Sequence, residues 1–388
     1  MNHCLQYVYF WSGVKPMSIE KKQSLAFVVS DINFFFSHRI DLAEKLSKKF
    51  EIYVLSDTLN IRNSKLLKNN SIKFVRIRAR RSKNKLINFM STIRYGINLI
   101  YLLKLNKIDN VFYITLESSI IGAVASKFLK NKNFFVITGT YVLRQSKNLR
   151  SIVIKIFSLF QSTKNKFIFQ NHEDQNFFKE ILGKKHFSTV IKGNGINLDM
   201  INFSPIESSK RIKFIFASDL FYSKGVREYF DAAVAMKNTD INADFFIAGR
   251  YKKNHAFSIK KSLYNEIMES DAIEYLGAWD QNTFIKNIYD YHVFIFPSFG
   301  EGMPLTVLEA MASGRALICS KVPGCNECIQ EGLNGYFCEA FSTKSLVEAI
   351  NKIIDNQKAI SDMGAYSRKI IEKEFELNLI YKKYLDVI

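Results

Sequence analysis

The sequence predicts an α/β chain built as two doubly wound parallel-sheet domains facing a central cleft. Three observations carry this. Short β-rich apolar runs alternate with longer helical patterns along the chain, the mark of βα units on a parallel sheet. A polar, proline-containing stretch, Asn202–Lys210 (NFSPIESSK), separates one completed βα series from a strand that opens another. The 388 residues suffice for two domains that each bury a core.

In the first half the expected strands are Leu25–Ser30, Glu51–Ser56, Ile72–Ile77, Val111–Thr115, Phe134–Thr138 and Lys166–Gln170. Helical stretches such as Asp41–Lys49, Leu86–Leu105 and Leu149–Phe160 lie between them. In the second half the strands are Ile212–Ser218, Asp244–Gly249, Val293–Pro297 and Ala316–Ser320, with Cys338 ending another. The expected division is an extension over 1–24, an N-terminal Rossmann-like domain over 25–205 and a C-terminal one over 206–370. A last helix over 371–388 is expected to pack back on the N-terminal domain. Open α/β sheets bind ligands outside the carboxyl ends of their strands, so function is sought in the strand-to-helix loops.

Composition excludes several classes. Apolar residues make up 47% and charged residues 23%, a globular balance and not a disordered one. No apolar run approaches the roughly 18 residues of a spanning helix. Met1–Pro16 has a Trp and several Tyr but no basic stretch leading into an apolar core, so it does not read as a signal peptide. It is expected to be a loosely held extension, with Met17 an alternative start. The formal charge of +19, from 55 Lys+Arg against 36 Asp+Glu, suits an anionic lipid, nucleic acid or phosphorylated ligand. A general abundance of lysine on solvated faces accounts for it equally well. The basic residues are dispersed and no nucleic-acid module is recognisable, so no nucleic-acid partner is expected.

Of five cysteines, Cys319, Cys325, Cys328 and Cys338 fall close together, and Cys325-Asn-Glu-Cys328 has CxxC spacing. A structural zinc wants two such knuckles, and only one is present; buried thiols packing as small hydrophobes are the alternative. An odd count without a secretory signal points to a reducing compartment, the cytoplasm.

The informative loop follows strand Val293–Pro297. Glycines 300 and 302 flank Glu301 and allow backbone amides to approach a ligand closely. Pro304 suits the first turn of a helix that Gly314 ends, and the helix start favours an anion such as a diphosphate. Inside that almost wholly apolar helix sits Glu309, either reaching a ligand in the crevice or paired with a cation across a domain interface.

The segment Glu301-Gly-Met-Pro-Leu-Thr-Val-Leu-Glu309 resembles the E-x7-E motif of the retaining GT-B glycosyltransferases of family 4. TGTYVLRQ (Thr138–Gln145), FQNHED (Phe169–Asp174), GNGINLDMINFSP (Gly193–Pro205), ASDLFYSKGVREYFDAA (Ala217–Ala233), FIAGR (Phe246–Arg250) and VPGCNE (Val322–Glu327) follow the order of that family. FFFSHRIDLAEKL (Phe34–Leu46) is similar to the first strand-to-helix segment of polysaccharide-building members. The likeness spans Leu25 to the C-terminus, and Cys325 falls where the group often has cysteine, against the zinc reading.

The resemblance implies a GT-B fold and a site. Glu309 would accept hydrogen bonds from the ribose hydroxyls of a sugar nucleotide, and Glu301 would contact hydroxyls of the donor sugar. The amides of Gly302, Met303, Pro304 and Leu305 (proline's excepted) would hold sugar and phosphate. Lys224, opening a helix after strand Ile212–Ser218, would neutralise charge on the leaving diphosphate; an ordinary surface lysine is the alternative. His38 and Arg39 would meet the acceptor, unless Arg39 is simply solvated. Asn194 joins them as a substrate-side candidate, although Asn194-Gly195 also reads as a structural turn. Trp279 is expected to be packing. No D-x-D triplet occurs, so no metal and no other cofactor is expected. Retaining members of the group have no protein nucleophile; the leaving phosphate oxygen takes the acceptor's proton.

One departure stands out. Where the family places an arginine five residues before Lys224, this chain has Asp219; either another cation, Arg250 or Arg227, moves into that role, as is expected, or the enzyme is slow. The reading is a retaining, metal-independent glycosyltransferase of bacterial surface-polysaccharide synthesis. Its expected donor is a UDP-linked N-acetylhexosamine, with other UDP-sugars or GDP-mannose open. Its expected acceptor is a saccharide or lipid-diphosphate-linked sugar at the inner face of the membrane, the protein lying peripherally on an anionic surface. The alternatives are a nucleotide-sugar epimerase or phosphorylase on the same fold, and a non-catalytic basic binding protein.

Overall fold

The computed structural model describes residues 22–57, 71–77, 85–160, 162–183, 187–239 and 241–388. The expected extension lies outside the described residues except for its last three, and Ser24 already opens the first strand. Seven parallel strands form the first sheet: β1 Ser24–Val29, β2 Glu51–Ser56, β3 Ile72–Arg76, β4 Asn110–Ile114, β5 Lys132–Ile137, β6 Asn165–Phe169 and β7 Ser188–Val190. Their order is β3-β2-β1-β4-β5-β6-β7. Six parallel strands form the second: β8 Ile212–Ala217, β9 Ala243–Ala248, β10 Glu274–Tyr275, β11 Val293–Phe296, β12 Ala316–Ser320 and β13 Gly335–Cys338. Their order is β10-β9-β8-β11-β12-β13.

Both faces of each sheet are covered, which is why the central strands read as unbroken apolar runs. The two-residue alternation sorts each strand between two cores. Leu25, Phe27 and Val29 of β1 pack with helices Ile32–His38, Ile40–Ser47 and Leu377–Val387, whereas Ala26 and Val28 face Lys85–Leu105, Leu116–Ser126 and Lys147–Leu159. Phe214 and Phe216 of β8 pack with Val226–Lys237 and Thr343–Asp355, while Ile215 and Ala217 face Gln281–Asn287 and Leu305–Ala312. The expected strands and helices are present, with ends displaced by one or two residues. β7 and β10 are additions that the pattern missed, because edge strands of three and two residues carry too little periodicity to register.

Strand order reverses between β1 and β4 in the first sheet and between β8 and β11 in the second. Such reversals open the crevice in which doubly wound sheets hold ligands. The segments after β1, β8 and β11 carry His38, at the end of helix Ile32–His38, Lys224 and Glu301.

The chain crosses between the sheets twice, and the crossings are bonded to each other. Ile196 N donates to Phe375 O at 2.8 Å, and Leu377 N donates to Ile196 O at 3.0 Å. Buried Arg315 anchors the first crossing, donating to the carbonyls of Ser204, Ser313 and Tyr291. After the second crossing, Leu377–Val387 returns to the first sheet and buries Leu377, Ile380 and Tyr384 beside Phe112 and Phe134. Lys132 and Lys166 donate to the carbonyls of Ile388 and Val387, meeting the negative end of that helix. Ile380→Ala should therefore destabilise the first lobe by about 2–4 kcal/mol, measured by urea unfolding.

Candidate active site

At Gly302 the backbones of the two lobes come into close contact. A Cβ at that position would lie 1.8 Å from the carbonyl oxygen of Thr138 in the first lobe. Asn171 Nδ2 donates to the Gly302 carbonyl at 2.7 Å across the same junction. Gly302 is thus packed behind the cavity wall, and its neighbours Glu301, Met303, Pro304 and Leu305 form the wall itself. Further along, Glu327 accepts from His172 and Lys192, tying the VPGCNE loop to the first lobe.

The resulting cavity holds about 430 Å³, within the range of small-molecule sites. His38, Asp219, Lys224, Glu301 and Glu309 all line it. A larger groove of about 780 Å³ at the other end of the second sheet, between the first crossing and Ile354–Ser361, contains none of these residues.

Lys224 Nζ lies 2.5 Å from Glu301 Oε1, and Ser298 Oγ lies 2.6 Å from the same oxygen. Two tight contacts make this possible. Phe299 N donates to Ser223 O at 2.8 Å, joining the loop after β11 to the loop after β8. Gly225, at φ +75°, lets the helix that follows Lys224 start against the Pro297 carbonyl, which a Cβ would meet at 2.1 Å. Helix Leu305–Ala312 begins just after Pro304, which stands at the cap and not in the first turn as expected. Leu305 and Thr306 of its first turn, where backbone amides have no partner within the helix, line the same cavity.

Glu309 is 2% exposed, and its partner is the amide of Gln281, whose Nε2 donates to Oε1 at 2.6 Å. Among the described residues no cation pairs with it, so the interface ion pair is not what holds this carboxylate in place. Burial pushes its pKa up to about 8, against the opposing effect of Gln281. His38 moves the other way, down to about 4, through burial first and then the charge of Arg39. It stacks on Phe34 with ring centroids 4.2 Å apart, and its Nδ1 lies 2.6 Å from Ser37 Oγ.

The remaining candidates sit elsewhere. Arg39 is not solvated: it is 1% exposed and donates to Tyr384 Oη at 2.6 Å. It lines a smaller side chamber together with Asn194, whose Oδ1 accepts from Gln170 Nε2. Arg250 is exposed and outside the cavity lining. Arg227 is held on the outer surface by Asp231 and Glu266. Asp219 does line the cavity, and it is paired with Lys252 at 2.5 Å. Trp279 packs against Phe284 and Tyr291 as expected but also lines the cavity, beside Asp280 and Gln281. Sequence reasoning missed Gln281, which opens helix Gln281–Asn287 28 positions from Glu309 and carries no local signal. The cysteines at 319, 325, 328 and 338 are buried free thiols.

Two parallel-sheet lobes, a cleft at their switch points and a carboxylate-lysine cluster on its C-terminal wall define a GT-B transferase. Residues 200–370 match the family described as Glycosyl transferases group 1. The chain is 26% identical to the N,N'-diacetylbacillosaminyl-diphospho-undecaprenol α-1,3-N-acetylgalactosaminyltransferase of Campylobacter jejuni, over 74% of this chain and 79% of the other. It is 25% identical to the UDP-Gal:α-D-GlcNAc-diphosphoundecaprenol α-1,3-galactosyltransferase of Escherichia coli, over 78% and 81%. Among solved structures, Anabaena HepE in complex with UDP and glucose superposes with a TM-score of 0.74 at 15% identity, covering 94% of this chain and 99% of that one. The chain is a glycosyltransferase.

The raised pKa of Glu309 has a stability consequence. The folded chain keeps a proton there up to about pH 8, whereas the unfolded chain releases it near 4.5. Stability therefore falls as pH climbs through that window. Glu309→Gln lacks the slope, and should gain on the order of 1–3 kcal/mol relative to wild type between about pH 5 and pH 8, read by urea unfolding.

Proposed function

We propose that the chain is a retaining transferase that moves a sugar, an N-acetylhexosamine in the first instance, from a UDP-linked donor to a lipid-diphosphate-linked saccharide. The observation that carries this is the convergence of Lys224, Glu301, Glu309 and the start of helix Leu305–Ala312 on one cavity at both switch points. Glu309 accepts from the ribose hydroxyls, and Glu301 orients the donor sugar. Lys224 and the helix amides stabilise the diphosphate as charge builds on it. The acceptor hydroxyl enters from the first lobe, past His38. As the bond from sugar C1 to phosphate oxygen breaks, the bond from C1 to acceptor oxygen forms on the same face. The acceptor's proton passes to the departing phosphate oxygen, so the reaction needs neither a protein base nor a metal. The two relatives support the acceptor class, since the names of both contain a diphosphoundecaprenol saccharide.

Thermal-shift screening of nucleotide sugars followed by turnover on a polyprenyl-diphosphate saccharide tests the reading. One donor should stabilise the fold and be consumed only with acceptor present; release of free sugar without acceptor would overturn it. Ribose hydroxyls donate to the ionised carboxylate, so donor affinity should rise as pH passes about 8. Glu309→Gln should lose that rise and bind about 1.5–3 kcal/mol more weakly above it. Lys224→Ala should lower kcat by about 10²–10³.

An acceptor carried on a lipid calls for contact with the bilayer, and we place that contact on the first lobe. Helix Lys85–Leu105 contains no acidic residue and exposes Phe89, Met90, Ile93, Ile97, Tyr101 and Leu105 alongside Arg94 and Lys104. Ile152, Leu159 and Lys155 extend the surface on Lys147–Leu159, which covers the same side of the sheet. No helix among the described residues is long and apolar enough to cross a membrane. A shallow seat on an anionic leaflet fits this pattern, with each basic residue near the surface adding about 1 kcal/mol. In liposome flotation, binding should require anionic lipid and weaken with salt; equal, salt-insensitive binding to neutral vesicles would refute the placement.

A further inference from the structure

Resting on the nucleotide-sugar reading above, the cavity poses an electrostatic problem. Among the described residues lining it, Lys224 supplies the one ammonium, and Glu301 already engages it. Asp219, Asp280 and Glu301 place three carboxylates in the same wall. His38, held near 4, adds no positive charge at neutral pH. A nucleoside diphosphate brings further negative charge and would sit next to Asp219, whose loop leads directly into Lys224.

Lys252 reaches Asp219 from a neighbouring loop. Its Nζ lies 2.5 Å from Asp219 Oδ2, both side chains about a third exposed, and 5.1 Å from the Phe221 ring centroid. The position is built and not incidental. Gly249 passes so close to the Ser218 carbonyl that a Cβ would stand 2.0 Å from it. Leu220 N then donates to Arg250 O at 3.1 Å and Tyr222 N to Phe257 O at 3.0 Å, while Phe221 stacks on His255 at 4.7 Å. The loop after β9 is thereby stitched onto the loop after β8, with Lys252 at the seam.

We propose that Lys252 is a positioning residue for the transfer: it masks the Asp219 carboxylate so that the diphosphate end of the cavity admits an anion. Arg227 is committed to Asp231 and Glu266, whereas among the described residues Lys252 is the cation paired with Asp219. The masking predicts that harm from losing Lys252 comes through Asp219 and is cured by neutralising it.

Calorimetric titration of the full chain tests this, using whichever of UDP or GDP binds wild type more tightly, and the matching nucleoside. Lys252→Met should weaken the diphosphate about tenfold, the scale of one unmasked charge at partial exposure, and leave the nucleoside within about twofold. Asp219→Asn should bind the diphosphate at least as tightly as wild type. The double variant Asp219→Asn/Lys252→Met should return to within about threefold of wild type. Unchanged diphosphate binding in Lys252→Met, a loss that the double variant does not recover, or an equal loss for the nucleoside would each overturn the masking. Wild-type protein that binds neither diphosphate would remove the nucleotide-sugar reading, and this inference with it.

Discussion

The contact on which the rest of the site depends is the approach of the Glu301–Gly302 backbone to the first lobe. Only hydrogen at Gly302 Cα permits it, since any side chain would overlap the Thr138 carbonyl. The approach brings the Gly302 carbonyl to Asn171 and seats the VPGCNE loop, whose Gly324 packs against the carbonyls of Glu301 and Gly302. With that loop held, Glu301 faces Lys224 and the start of helix Leu305–Ala312 faces His38 across the cleft. One glycine therefore joins the packing of the lobes to the placement of the carboxylate.

Around this contact the cleft separates two kinds of acidic residue. Glu301 sits at the surface of the cavity in an ion pair with Lys224. Glu309 is buried and, among the described residues, its hydrogen-bond partner is the neutral Gln281 amide, so burial dominates its titration. A carboxyl group in that state costs stability when ionised, which sets a limit on how a fold would retain it without a ligand to satisfy it. His38 on the opposite wall is pushed toward neutrality by the same exclusion of water. The cleft thus presents uncharged donors and acceptors to a sugar and concentrates its charge near Lys224 and the helix start.

Much of this was legible before any coordinates. Alternating apolar and helical stretches located the long central strands, because strands buried on both faces must be continuously apolar. Glycines, a proline and strand ends marked the segments of Glu301, Glu309 and Lys224 locally, and the resemblance to the family 4 motifs gave these residues their expected roles. Gln281, Lys252 and the lining role of Trp279 carried no such mark, since each acts on a residue 28 to 33 positions away or through a cavity wall. Arg39 shows the same limit in reverse: a polar residue in a loop-like context proved to be buried beneath the returning C-terminal helix.

By itself the sequence determined the doubly wound architecture and the loop that carries the two glutamates. Periodicity and turn chemistry act over a few residues, and these features are written at that range. Only the tertiary structure decided which charges meet. The Lys224–Glu301 contact, the Gln281 amide on Glu309 and the Lys252 ammonium on Asp219 join separate strand-to-helix loops. Their pairing follows from strand order, which sets loops from distant parts of the chain side by side at the switch points.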